Sequence, residues 1–398
     1  MKIKEKDLKG FKYLSVLFSV LKELHGKEDH PNRKLHCDEY ISLLLFYFFN
    51  PILTSLRGIQ QASKLKTVQK KLKIKATSLG ALSEASCVFD ADLVTPLIED
   101  LAKKALPLEK DPQLKDIEQT IIAVDGTLLP ALPRMLWALW INDENRAAKL
   151  HLELDVEKYI PTGAIITHGT GNEKNVLRKN FLGSGKLFLL DSGYAEYALL
   201  SEITSANSSF VIRLRDNAVW DTIKENPLSK EDKNAGVTRD MVAHLGCKKK
   251  KDGYPSPVRI IEIFHKGSSI PRRTARVSSK KTFRTKDTDY TLLLATDRMD
   301  LPAEVIALLY HHRWKVELFF RWFKCVLGCK HLLAQSQNGV SIQVYCALIA
   351  SMLITLWTGR KPTKRTFEML SFFFMGWASS DELEKHISTL KEIEKKNA

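Results

Sequence analysis

Between Thr120 and Leu214 the chain carries short apolar runs interleaved with amphipathic stretches, and their order limits the fold more than any other feature. Thr120–Val124 is β-branched and ends at Asp125-Gly126, which reads as a strand leading to a turn. Lys149–Val156 alternates, Thr162–Thr167 is a third apolar run, and Glu173–Phe181 has helical spacing. Lys186–Leu190 is a fourth strand ending at Asp191-Ser192-Gly193, followed by a helix over Tyr194–Thr204 and a fifth strand over Ser209–Leu214. The order β-β-β-α-β-α-β predicts a mixed sheet flanked by helices, an α/β core within a chain that is α+β overall.

Residues 1–118 read as a separate helical domain. Asp38–Phe49 is apolar, Ser55–Leu72 places Ile59, Leu65, Val68 and Leu72 at helical spacing, and Ala91–Lys104 is amphipathic. Six lysines fall between Lys64 and Lys75, and the Ser83 region after them resembles a helix start. This stretch is either a DNA-binding helical domain or a solvated lysine face. The sheet core is expected over 119–215 and again over 290–365, where Tyr290–Ala295 returns as a strand and a long helix runs from about Pro302 to Leu327. Between them, 216–289 reads as a β-rich insertion containing the strand-like Val258–Phe264. The tail, 366–398, has an aromatic run (Phe372 to Met375) and a final charged helix, suited to covering the core or joining two protomers.

The chain has 398 residues and a formal charge of +15, which points to a polyanionic partner, either nucleic acid or an acidic membrane surface. Much of that charge is concentrated: Lys248 to Lys286 holds 13 Lys/Arg and 2 Asp/Glu, and 13 − 2 gives +11. Lys248, Lys249, Arg272, Arg273, Lys280 and Lys281 are the expected DNA contacts there, against the alternative of a solvated face. The apolar stretches Tyr40–Leu53 and Val344–Trp357 fall short of the roughly 18 residues of a spanning helix and read as buried helices. The charged opening MKIKEKDLKG does not resemble an export signal, and the six scattered cysteines fit a reducing compartment, so a cytoplasmic location with no membrane association is expected. Cys325, Cys329 and His331 could be imagined as zinc ligands, but no second ligand pair stands at finger-like spacing.

The strand order resembles that of the ribonuclease H-like fold, in which the first and fourth strands are neighbours. Asp125 and Asp191 would then project into one crevice. Either alone reads more simply as a turn or helix cap, but two close carboxylates repel unless a cation neutralises them. Hard oxygen ligands with room for water suit magnesium or manganese. The long helix offers a third acid. Tyr310, Arg313, Glu317 and Lys324 are separated by 3, 4 and 7 residues and fall within roughly 60° of each other at 100° per residue. Val316, Phe319, Phe320 and Phe323 occupy the adjoining sector, which should pack on the sheet. The simpler alternative is an exposed i,i+4 pair of Arg313 and Glu317.

Tyr310-x2-Arg313-x3-Glu317-x6-Lys324 is similar to the Y-R-E-K signature of DDE transposases in the family named after insertion sequence four. Val124-Asp125-Gly126-Thr127 and Leu190-Asp191-Ser192-Gly193-Tyr194 resemble that family's two aspartate blocks, and the insertion also belongs to its pattern. The resemblance covers about 119–330 well and the flanking helices loosely. It implies cut-and-paste transposition of an insertion sequence. Two Mg²⁺ ions per active site, with Mn²⁺ able to substitute, would be held by Asp125, Asp191 and Glu317. It further implies attack by water and then by the freed 3′-hydroxyl, and a DNA hairpin intermediate. The partners would be double-stranded DNA, as terminal repeats and target, and a second protomer on that DNA; the setting would be a bacterial nucleoid. Arg313 and Lys324 would clamp phosphates and Tyr310 would position the same strand. Trp220 is either a base-stacking residue or a core tryptophan, and His311 and His312 read as helix-packing or phosphate-neighbour residues.

Gly183-Ser184-Gly185-Lys186 is not a nucleotide-binding loop, because it precedes a strand and is followed by Leu187 where Ser or Thr is needed. The remaining rivals are a ribonuclease H-like nuclease and a domesticated, non-cutting DNA-binding protein.

Overall fold

The computed structural model describes residues 21, 24, 34–108, 111–131, 134–139, 145–247, 252–265, 289–325 and 332–397, without the side chains of 247, 252, 325, 395 and 397. The chain forms two compact units: 1–110, 125–176 and 315–398 make one, and 111–124 with 177–314 make the other. The strands are β1 (Thr120–Pro130), β2 (Ala147–Asp155), β3 (Ile160–His168), β4 (Lys186–Leu190), β5 (Ser209–Arg213), β6 (Trp220–Glu225), β7 (Val237–Cys247), β8 (Asp252–Gly253), β9 (Val258–His265) and β10 (Tyr290–Thr296). Strand β1 contributes its first five residues to the second unit and the rest to the first.

In the second unit β1 and β4 run parallel, from Thr120 opposite Lys186 to Ala123 opposite Leu189. Strand β5 adds parallel to β4, with Leu190 opposite Ile212. Strand β10 then pairs antiparallel with β5, and β9, β7 and β6 follow antiparallel in turn, with β8 on β7. The described strands of 216–289 continue this sheet beyond β10. In the first unit β2 and β3 pair antiparallel, Ala148 opposite His168. The order β3-β2-β1-β4-β5 is the ribonuclease H-like order, in an α/β chain.

The first unit is built around the helix Gln337–Thr358, which packs against the helices Cys37–Phe49, Leu79–Val88 and Thr95–Lys104 and against β3. The Ser336 hydroxyl caps its start by accepting the Gly339 N–H, and Gly359, at φ 61°, ends it in the left-handed conformation. A side chain at Gly339 would come within 2.8 Å of the Ser86 Cβ, so the glycine permits a close approach between helices. Asn338 ties the same junction by donating to the Ser86 and Phe89 carbonyls and accepting from the Ala91 N–H. At 22 residues this helix is long and apolar enough to cross a membrane, contrary to the expectation from Val344–Trp357 alone, but 94% of its apolar window is buried inside the protein. It is a core helix.

Several local expectations change. Asp125-Gly126 makes no turn: β1 runs straight through it to Pro130. The glycine answers to crowding, since a Cβ there would lie 2.7 Å from Glu173 Oε1 and 2.8 Å from Lys149 Cε. The Ser55–Leu72 stretch is two helices, Leu56–Ser63 and Lys66–Leu72, separated at an extended Leu65 that is exposed rather than packed. The Gln69 amide satisfies the Ser63 carbonyl at that break. The helix near Ser83 starts earlier, at Leu79, capped by the Ser78 hydroxyl on the Ala81 N–H. Strand β2 alternates in chemistry but not in exposure, because His151, Glu153 and Asp155 are as buried as Leu150, Leu152 and Leu154. The long helix is two, Ala303–His312 and Trp314–Cys325. Between them the Arg313 N–H turns to the Tyr310 and His311 carbonyls, a tightened turn of 3₁₀ type.

Candidate active site

Asp191 directly follows β4, and its carboxylate accepts the Ser192 N–H at 2.5 Å, which fixes the side chain at the strand's end. Asp125 lies in β1, half-buried, and accepts the Gly126 N–H at 2.7 Å. Each aspartate is two residues beyond the Ala123–Leu189 pair on its own strand. The backbone thus gives both the same type of anchored carboxylate.

Within the second unit Tyr310 and Arg313 form one group with Asp191. The Arg313 guanidinium sits 5.6 Å from the centre of the Tyr310 ring and 5.5 Å from that of Trp314. Tyr310 is 5% exposed. Burial pushes its phenol up to about 12; the Asp191 charge acts in the same direction, and Arg313 and Arg213 oppose it. The phenol therefore stays protonated and able to donate across any physiological pH. Arg213 and Arg215 were not singled out in the sequence. The register that sets Leu190 opposite Ile212 makes Arg213 the residue after Ile212, as Asp191 is after Leu190, and Arg215 donates to the Ser192 carbonyl at 3.2 Å. Counting along both strands would have found them. His312 Nε2 lies 3.9 Å from a carboxylate oxygen of Asp111.

Within the first unit Asp125, Thr127, Glu317 and Lys324 come from β1 and the helix Trp314–Cys325. Val316, Phe319, Phe320 and Phe323 bury the adjoining sector of that helix, with Phe319 against Tyr159 at 5.9 Å. Glu317 is half-buried, and Lys324, two turns on, lies on the same side, where its ammonium donates to the Thr127 hydroxyl at 2.8 Å. The single stripe expected from Tyr310 to Lys324 is therefore divided: Tyr310 and Arg313 belong to the helix Ala303–His312 and its end, Glu317 and Lys324 to the next.

The three acids are hard oxygen donors of the kind a divalent cation takes. Among the described residues, no three His, Cys, Asp or Glu side chains are gathered as one ion would require. Trp220 begins β6, half-buried and opposite Leu245. Lys248, Lys249, Arg272, Arg273, Lys280 and Lys281 lie outside the described residues, as do Cys329 and His331 and the side chain of Cys325. Lys186, from the discarded nucleotide loop, instead donates to the Phe181 carbonyl at 2.8 Å.

Residues 116–353 match the family model described as the transposase DDE domain. The chain belongs to the DDE transposase family. Among curated relatives it is 27% identical over 234 residues to a protein named as transposase y4zB of Sinorhizobium fredii, covering 58% of this chain and 59% of that one. It is 21% identical over 324 residues to one named as the transposase of insertion sequence element IS4SA of Synechocystis, covering 80% and 83%. A protein of Geobacillus stearothermophilus named for insertion sequence element IS5377 is 26% identical over 260 residues, covering 65% and 60%. The match thus spans about three-fifths of the length of two of these relatives. A piggyBac transposase, solved in a synaptic complex with hairpin DNA, aligns over 95% of this chain and 80% of its own at 11% identity and a TM-score of 0.40. The DDE family works with divalent metal ions.

Proposed function

We propose that this chain is a DNA transposase that excises and inserts an insertion sequence by phosphodiester hydrolysis and strand transfer. The observation that carries this reading is the family match over 116–353, which includes both aspartates and the whole Tyr310–Lys324 signature. On this reading Asp125, Asp191 and Glu317 are the residues that would hold two Mg²⁺ ions, with Mn²⁺ as a substitute, once bound DNA and the ions draw the three carboxylates together. When bound, such ions lower the pKa of a water and stabilise charge on the attacking and leaving oxygens of an in-line displacement. Arg313, its guanidinium within 5.6 Å of the Tyr310 and Trp314 ring centres, presents a restrained cation to a phosphate, and the protonated Tyr310 phenol donates to the same strand. Lys324 supplies a second cation beside Asp125. After water has cut one strand, the new 3′-hydroxyl serves as nucleophile, first on the opposite strand to give a hairpin and later on target DNA.

The remaining parts follow the same reading. The lysine face within 1–118, the insertion 216–289 with Lys248, Lys249, Arg272, Arg273, Lys280 and Lys281, and the half-buried Trp220 contact the transposon ends. The tail 366–398 joins two protomers on that DNA. The protein acts in the bacterial cytoplasm, at the nucleoid.

A cleavage assay tests this directly, using the full chain, linear duplex carrying the candidate terminal repeats, and Mg²⁺ or Mn²⁺. Wild type should nick at the repeat boundary. Asp191→Asn and Glu317→Gln should each bind the repeats yet cut about a thousandfold more slowly or worse, about 4 kcal/mol of barrier. Binding by wild type without any cutting would replace the proposal with a non-cutting DNA-binding role.

A further inference from the structure

We propose that Thr127 is a positioning residue for Lys324: its hydroxyl sets where the signature lysine presents its ammonium beside Asp125. The inference rests on the reading of Lys324 as a phosphate contact. Thr127 stands two residues beyond Asp125 on β1, so the two side chains share one face of the strand, roughly 7 Å apart along it. Thr127 is only 9% exposed, and Lys324 Nζ donates to its Oγ1 at 2.8 Å.

The face on which Thr127 stands is locked. Gly126 points the other way, into space filled by the ion pair of Lys149 and Glu173, whose charged atoms are 2.7 Å apart. Any side chain at that position meets Glu173 Oε1 at 2.7 Å and Lys149 Cε at 2.8 Å. A one-residue slip of β1 would drive Asp125 or Thr127 into the pair, so both are held on the Lys324 side.

A lysine ammonium carries three rotatable donors on a flexible stem and has no preferred direction of its own. Committing one donor to a buried hydroxyl fixes the direction in which the ammonium is presented. A β-branched residue is favoured in a strand regardless, and valine would serve that need equally well. The hydroxyl is what valine lacks.

The variants are Thr127→Val, Thr127→Ser, Lys324→Ala and the double Thr127→Val/Lys324→Ala, with Thr127→Cys as a second hydroxyl-free side chain should valine not fold. The first readout needs no DNA: acetylation of Lys324 by an N-hydroxysuccinimide ester, followed by mass spectrometry of the intact full-length protein's peptides. Thr127→Val should speed labelling of Lys324 several-fold and Thr127→Ser should restore the wild-type rate. The second is affinity for linear terminal-repeat duplex with Ca²⁺ in place of Mg²⁺. Thr127→Val should weaken binding about fivefold, the size of one hydrogen bond, and should cost nothing further once Lys324 is alanine. Equal labelling in wild type and Thr127→Val, or effects that add in the double variant, would overturn the proposal. If labelling responds to Thr127→Val while Lys324→Ala binds DNA as wild type does, the positioning role stands and the phosphate reading of Lys324 falls.

Discussion

His151 illustrates what one buried side chain does to stability. It stands on β2 with 1% of its surface exposed, Nε2 is 2.8 Å from the Thr167 hydroxyl, and Nδ1 has no hydrogen-bond partner among the described residues. Burial first, then the Lys149 and His168 charges, hold its pKa down from 6.5 to about 4. In the unfolded chain the imidazole titrates normally, so between these two values the unfolded state binds the extra proton. Stability from this residue is complete above pH 6.5 and falls as the pH drops toward 4, by at most roughly 3 kcal/mol. Thermal melts of wild type should therefore fall more steeply from pH 7 to pH 5 than those of His151→Gln, which cannot titrate. Parallel slopes would show that other groups govern the acid limb.

At the scale of elements, one guanidinium joins the end of the core helix to the two helices after it. Arg360, just past the Gly359 cap, is 5% exposed. It donates to the Thr366 hydroxyl at 2.5 Å and to Glu394 at 2.5 and 3.2 Å, in the helices Lys364–Phe374 and Ser380–Asn397. Truncating one partner of a fully buried pair costs 3–5 kcal/mol; the Glu394 side chain is 38% exposed, so screening reduces this to about 1–2 kcal/mol. Glu394→Ala should lower the urea midpoint by that amount, while Glu392→Ala, on the exposed side, should leave it unchanged. Two equal midpoints would mean that apolar packing alone docks the last helix.

At the scale of the whole molecule, a charge of +15 makes any DNA complex sensitive to salt, because each neutralised phosphate releases counterions. The six lysines from Lys64 to Lys75 are all exposed, on and around the helix Lys66–Leu72 that buries Val68 and Leu72, and no acid interrupts them. Replacing Lys70 and Lys71 with glutamine should reduce the slope of log affinity against log salt by about one per lysine, uniformly across sequences. An unchanged slope would make this a solvated face, and the phosphate contacts would have to lie elsewhere.

Sequence alone determined whatever depends on local chemistry and spacing. The strands around Ile121–Val124, Leu187–Leu190 and Phe210–Ile212 were legible because β-branched and apolar runs of that length have few alternatives. So was the family, because the signature at Tyr310, Arg313, Glu317 and Lys324 and the two aspartate blocks are fixed spacings along one chain. The places where tertiary structure decided are those where distant groups compete for the same backbone. Gly126 reads locally as a turn, yet the Lys149–Glu173 pair across from it makes it a strand residue. Arg313 reads as mid-helix, yet its N–H tightens to Tyr310 and His311 and its guanidinium lies near the Tyr310 and Trp314 rings. His151, Glu153 and Asp155 alternate in sequence with Leu150, Leu152 and Leu154, and only the tertiary fold buries both sets alike. Hydrophobic periodicity records which face one element prefers; which neighbours cover the other face is set by contacts between residues far apart in the chain.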